Sequence, residues 1–185
     1  MKQLPNALTL LRFMLIPILA WLIIVQDYKN ALYLAVIAGL TDAADGFLAK
    51  RYNWVSQFGG IADPLADKLL MITAFACLAT AGLLPWWLFI LTSARDLIIV
   101  IGAITYHYLI DKVTGSPNWA SKANTAMQIS LVAIVLLHAS GYQAIPQLRT
   151  LLISLVSLLS IVSMLQYLVV WSNKARGLNN QENNL

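Results

Sequence analysis

The chain has 185 residues, 59% of them hydrophobic and 11% charged, with a mean hydropathy of +0.72. A soluble domain carries roughly a quarter of its residues as charges, so this composition excludes an ordinary water-soluble surface and points to a membrane. The formal net charge of +4 suits anionic lipid head groups better than nucleic acid, and the single cysteine, Cys77, excludes an internal disulfide framework.

In chain order, the sequence predicts an all-α protein built as a six-transmembrane-helix bundle. A short interfacial arm, Met1–Ala7, leads into a first helix over about Leu8–Val25. No small-residue cleavage site follows it, so it is not read as a secretory signal. Asp27, Lys29 and Asn30 break the pattern. A second helix begins near Ala31, is apolar to Leu40, then turns acidic and ends near Arg51. A third starts at Pro64, a residue suited to a first helical turn, and runs to Ala81. Gly82 and Pro85 mark a tight turn before a fourth helix, Trp86 to about Ile110. A polar linker, Asp111–Ala120, precedes a fifth over about Ser121–Ala139. Gly141 and Pro146 mark the next turn, and a sixth helix spans about Leu148–Trp171. Residues 1–171 read as one membrane domain, and 172–185 as a polar cytoplasmic tail that is expected to be disordered.

The basic residues of short loops set the orientation. Lys2, Arg12, Lys50, Arg51, Lys112, Lys122, Lys174 and Arg176 gather on one side, against Lys29 and Arg149 on the other. Both termini and the acidic end of the second helix are therefore expected at the cytoplasmic face. The short N-terminus without a transit segment favours a bacterial inner membrane.

Four of the seven aspartates fall between positions 42 and 67. A carboxylate at the centre of a membrane helix costs roughly 3 kcal/mol on insertion scales, which makes each a functional residue by default. Asp42 and Asp45 are three apart, Asp63 and Asp67 four apart, so each pair shares one helix face. A hairpin reversing between Arg51 and Phe58 can bring the pairs together. Four converging carboxylates repel one another and call for a cation. Hard divalent ions such as Mg²⁺ or Mn²⁺ take carboxylates and substrate phosphates. The absence of His and Cys from this stretch argues against zinc, and a pair of ions clamping a phosphoryl group is a known solution. Gly46, Ala49 and Gly59 let a ligand approach the backbone. Lys50 and Arg51 can neutralise phosphate. The pattern points to a metal-dependent site for a phosphorylated ligand.

The stretch TDAADGFLAKRYNWVSQFGGIADPLADK resembles the signature of the CDP-alcohol phosphatidyltransferase family, D-x2-D-G-x2-A-R-x8-G-x3-D-x3-D. Asp42, Asp45, Gly46, Ala49, Gly59, Asp63 and Asp67 match in identity and spacing. Lys50 stands where the family has Arg, keeping the charge without the bidentate geometry. Pro5, Asn6, Thr9 and Arg12 form the P-N-x-x-T-x-x-R start common in that family. The resemblance implies a six-helix core, a homodimer, and transfer of a phosphatidyl group from CDP-diacylglycerol to an alcohol with release of CMP. It implies that Asp42, Asp45, Asp63 and Asp67 hold the metals and that Asp67 is also the general base. Thr9, Gly46, Ala49, Lys50 and Gly59 are expected on CDP-diacylglycerol, and Arg12, Arg95 and Lys122 on the acceptor.

The segments SARDLIIVIGA and SKANTAMQ resemble those of the CMP-forming cardiolipin synthases. Phosphatidylglycerophosphate synthases more often carry a second Arg where this chain has Ala103 and a second Lys where it has Asn124. Glycerol 3-phosphate bears nearly two negative charges, whereas phosphatidylglycerol bears one, so the loss of two cations favours phosphatidylglycerol. Phosphatidylglycerophosphate synthesis is the alternative within the family. Arg95 with Asp96 could instead be a buried structural pair, and Lys122 an interfacial anchor. Outside the enzymes, a small ion or proton transporter is the rival class. It is disfavoured because the carboxylates cluster at one membrane end beside Lys50 and Arg51.

Overall fold

Among the residues described by the computed structural model there are six α-helices and no strand. The backbone is described over 4–52, 57–109, 119–142 and 146–182, and the side chains over 10–41, 65–102, 119–142 and 147–169. The helices are α1 (Leu4–Ile24), α2 (Tyr28–Tyr52), α3 (Gln57–Thr80), α4 (Trp86–Leu109), α5 (Trp119–Ala139) and α6 (Pro146–Glu182). Neighbouring helices close into a ring in the order α1, α2, α5, α6, α4, α3, and α3 also touches α5 across it.

Each helix turns one stripe to the interior, and most stripes change character along their length. In α1 it runs Ile23, Leu19, Arg12; in α4, Leu88, Thr92, Arg95; in α5, Val135, Leu131, Gln128, Asn124; in α6, Leu152, Val156, Ser160, Ser163. These spacings of three, four and seven keep one face of a helix. The apolar members, with Ala31, Phe75 and Leu78, form a single core cluster. Because successive helices run in opposite senses, that cluster fills the end of the bundle where the α1–α2, α3–α4 and α5–α6 turns lie. The polar members gather at the other end.

The outer surface is inverted relative to a soluble protein. Leu40 is 65% exposed and Trp21, Ile24, Ile90, Leu97 and Leu158 are also exposed, while Arg12, Arg95, Asn124 and Gln128 are buried. Trp86, Trp87 and Trp119 lie exposed as well, as interface belts require. Two described stretches, Trp119–Ala139 and Gln147–Val169, are long and apolar enough to cross a membrane, and Leu10–Ile24 is a shorter apolar run.

Four boundaries differ from the sequence expectation. The N-terminal arm is not separate where it is described: α1 already begins at Leu4, since Pro5 in a first turn forfeits no hydrogen bond. The break expected at Asp27–Asn30 lies at residues 25–27, and α2 starts at Tyr28 rather than near Ala31. Asp27 accepts hydrogen bonds from the Asn30 backbone N–H at 3.3 Å and from Asn30 Nδ2 at 2.7 Å, capping α2. Pro64 lies inside α3 rather than at its start. Packing of α3 on α1, α4 and α5 outweighs the one backbone hydrogen bond that Pro64 removes. Finally, α6 continues through the tail to Glu182. Extending an existing helix is far easier than nucleating one, and Lys174, Ala175, Arg176 and Leu178 all favour it.

Gly82 and Gly141 end α3 and α5 with φ of 73° and 89°, as their sequence position suggests. At the third turn of that end the left-handed residue is Gln26, with φ 62°. Gln26 N–H donates to the Ile23 carbonyl at 3.1 Å and Asp27 N–H to the Leu22 carbonyl at 2.9 Å, which is the Schellman arrangement. A side chain in this conformation costs about 1 kcal/mol or more. Gln26→Gly is therefore expected to stabilise the protein by about 1 kcal/mol, seen as a raised unfolding midpoint in detergent; an unchanged or lowered midpoint refutes it. At the same end Arg149 Nη2 donates to the Leu83 carbonyl at 2.5 Å, tying α6 to the α3–α4 turn.

Candidate active site

Two of the predicted site residues, Arg12 and Asp67, meet at the polar end of the bundle. Arg12 continues the inner stripe of α1 and is buried, so its guanidinium must find a partner inside. It donates to Asp67 Oδ1 at 2.5 Å, joining α1 to α3. Asp67 sits on the inward register of α3 with Met71, Phe75 and Leu78, yet its side chain is 44% exposed. The Asp67 carboxylate is thus only half withdrawn from the surface.

In α2, positions 42 and 45 continue the register of the buried residues Ala31 and Ala38, and in α3 position 63 precedes Asp67 by four. Both helices are continuous through these positions and both pack on α1 and on α5. The side chains of Asp42, Asp45, Gly46, Ala49, Lys50, Gly59 and Asp63, and that of Thr9, lie outside the described residues, as does that of Ala103. Among the described residues no group of three potential ligands assembles. Of the four carboxylates expected to hold a metal, Asp67 has a described side chain, and a carboxylate is the donor type a hard divalent cation takes.

A second polar cluster lies beside the first. Arg95 is 3% exposed. Its Nη1 donates to Asp96 Oδ1 at 2.5 Å, and its Nη2 to Ser121 Oγ at 2.6 Å and Ser163 Oγ at 2.8 Å, so one side chain ties α4, α5 and α6. Lys68 Nζ stands 3.4 Å from Asp96 Oδ1 and connects this cluster to the helix of Asp67. Next to it, Asn124 is fully buried and accepts a hydrogen bond from Ser160 Oγ at 3.2 Å. Among the described residues, Asn124 Nδ2 and Arg95 Nε are buried with no hydrogen-bond partner. A cleft between α3, α4 and α5, lined by Met71, Phe75, Thr92, Asp96 and Gln128 among others, adjoins the cluster.

Of the three expected acceptor residues, Arg12 reaches Asp67, and Arg95 commits both Nη atoms to the helix-tying cluster. Lys122 is exposed on α5. Lys68, Ser160 and Ser163 were not singled out from the sequence, and Ser121 and Gln128 stood in the SKANTAMQ segment without a role. The stripe periodicity that continues Leu152 and Val156 into Ser160 and Ser163 could have found two of them.

Against known proteins, the family description CDP-alcohol phosphatidyltransferase matches residues 2–172. The chain is 36% identical over 147 residues to the cardiolipin synthase (CMP-forming) of Homo sapiens, covering 70% of this chain and 48% of that protein. It is 31% identical over 172 residues to the CDP-diacylglycerol–glycerol-3-phosphate 3-phosphatidyltransferase of Aquifex aeolicus, covering 90% of each. A Drosophila melanogaster relative named as a cardiolipin synthase is 32% identical over 148 residues, 46% of its length. The chain spans about half the length of the human and fly relatives. With the matched region reaching from the second residue into the end of the last apolar stretch, the chain belongs to the CDP-alcohol phosphatidyltransferase family.

Proposed function

We propose that the protein transfers the phosphatidyl group of CDP-diacylglycerol to phosphatidylglycerol, forming cardiolipin and releasing CMP, in a bacterial inner membrane. The observation that carries the enzyme reading is the placement of Arg12 on Asp67, within a chain that belongs to this family. It joins the helix that opens with the P-N-x-x-T-x-x-R segment to the last aspartate of the motif. Residues 1–171 then form one membrane domain whose six helices cross the bilayer, with the polar end of the bundle at the cytoplasmic face and a second copy as partner. The inverted surface, apolar outside and polar inside, supports that placement.

In this reading Asp42, Asp45, Asp63 and Asp67 hold Mg²⁺ or Mn²⁺, as a pair of ions. When bound, such ions neutralise the diphosphate and the charge that develops on the departing CMP. The chain supplies the rest. Asp67 takes the proton of the acceptor hydroxyl as its oxygen bonds to the β-phosphorus and the bond from that phosphorus to CMP breaks. Arg12 orients the Asp67 carboxylate and compensates its charge. Thr9, Gly46, Ala49, Lys50 and Gly59 receive the CDP-diacylglycerol.

The acceptor rests on Asn124. It is neutral, buried in the interior and bonded to Ser160, at the position where a second lysine would add charge for a phosphomonoester. The relative in Aquifex aeolicus, aligned over 90% of both lengths, favours glycerol 3-phosphate instead as a second reading. Purified protein given CDP-diacylglycerol and Mg²⁺ or Mn²⁺, with each acceptor separately, is expected to form cardiolipin from phosphatidylglycerol, read by lipid mass. Phosphatidylglycerophosphate from glycerol 3-phosphate keeps the class and overturns the acceptor. Absence of CMP with both overturns these two acceptors and points to another alcohol, or reopens the transporter, which the family membership disfavours.

A further inference from the structure

Lys68 follows Asp67 directly in α3, and one helical step turns it about 100° from the aspartate, towards α4. Its Nζ approaches Asp96 Oδ1 at 3.4 Å, the same oxygen that accepts from Arg95 Nη1 at 2.5 Å. Asp96 is 14% exposed, so the carboxylate that Lys68 meets is largely withdrawn from solvent. Arg95, in turn, is held by Ser121 and Ser163. The place of Lys68 is thereby referred, through one carboxylate oxygen, to a buried cluster anchored on α4, α5 and α6. On the other side of the same turn, Asp67 is held from α1 by Arg12. Two charged contacts to different helices thus bracket consecutive residues of α3.

Resting on the phosphatidyltransferase reading above, we propose that Lys68 is a positioning residue: its bridge to Asp96 fixes the turn of α3 that presents the Asp67 carboxylate. Arg12 holds this turn from the side of α1. The bridge from the adjacent residue adds a restraint from the side of α4, so the turn is fixed from two directions. A proton acceptor must lie within hydrogen-bond reach of the hydroxyl it serves, and a misplacement of about 1 Å can cost about a hundredfold in rate. The chain has several cations that could attract phosphate, but among the described residues Lys68 is the cation joined both to the backbone turn of Asp67 and to the Arg95 cluster.

The test is steady-state CMP release by purified protein in detergent, with CDP-diacylglycerol varied, Mg²⁺ or Mn²⁺ present, and whichever acceptor the wild type uses. Lys68→Met keeps the stem and removes the charge. It is expected to lower kcat about tenfold or more, with KM for CDP-diacylglycerol within about twofold of wild type and an unchanged unfolding midpoint. Lys68→Arg is expected to restore most of the rate. Asp96→Asn also loosens Arg95, so it is expected to lower kcat at least as much, and adding Lys68→Met to it is expected to cost nothing further, because Lys68 acts through Asp96. Full kcat in Lys68→Met, a rise in KM alone, or losses that multiply in the double variant each overturn the positioning role. A wild type that releases no CMP with any alcohol offered removes the enzyme reading and this role with it. An active wild type beside an unimpaired Lys68→Met removes this role only.

Discussion

Asp67→Asn is expected to lower turnover by about 10²–10⁴-fold, the usual contribution of a general base. Metal-dependent binding of CDP-diacylglycerol should persist in part. The substitution is isosteric and keeps an oxygen that Arg12 can donate to, so the 2.5 Å contact between α1 and α3 is weakened rather than lost. What disappears is the ability to take a proton. The other three carboxylates of the motif remain to hold the ions, which is why binding and turnover should separate. The measurement is CMP release under single-turnover conditions, set beside a nucleotide-binding titration on the same preparation. Wild-type turnover in this variant rules out Asp67 as the base. Loss of binding equal to the loss of turnover makes it a metal ligand alone.

Arg95→Ala is expected to destabilise the folded protein by about 3–5 kcal/mol, the cost of breaking a buried charge network from one side. At 3% exposure Arg95 has almost no water to fall back on, and its loss strands Asp96 with only the more distant Lys68. Ser121 and Ser163 lose a charged partner at the same time. Arg95→Lys should recover only part, since an ammonium cannot span a carboxylate and two hydroxyls as a guanidinium fork does. The exposed Lys122 gives the contrast: Lys122→Ala should change stability by no more than about 0.5 kcal/mol. Thermal unfolding in detergent checks both. An Arg95→Ala protein that melts with the wild type denies the cluster its role in tying the helices.

Element existence was legible in the sequence because apolar runs in this chain are long and are punctuated by turn residues. Gly82 and Gly141 stood out for that reason, and both take the left-handed conformation. The α1–α2 turn was harder to place, because its left-handed residue is a glutamine and its cap, Asp27, also looks like a simple interruption. Pro64 misled in the opposite sense: a residue good at a helix start is also tolerated within a helix that neighbours pack against. The motif aspartates were picked out by spacing alone, and among them Asp67 has a described side chain. The partner of Asp67 was not, since Arg12 was assigned to the acceptor and nothing local in the sequence relates positions separated by 55 residues. Lys68 was hidden by its neighbour: beside a motif aspartate it reads as ordinary charge compensation, and its target in α4 becomes visible only once the ring order places α3 next to α4. Asn124 was noticed as a missing cation and is in addition a buried link from α5 to α6.

The division of the bundle into an apolar and a polar end also divides it by what each end tolerates in substitution. The apolar end is closed by turns in which residue 27 bonds to residue 22 and residue 83 to residue 78, and is filled by one apolar cluster. A side chain there can be exchanged for another of similar volume at little cost. The described polar end is held by specific pairs, Arg12 on Asp67 and Arg95 on Asp96, Ser121 and Ser163. Removing one member of such a pair strands the other in the interior. The apolar end is therefore free to drift in sequence, whereas the polar end can change only by paired replacements.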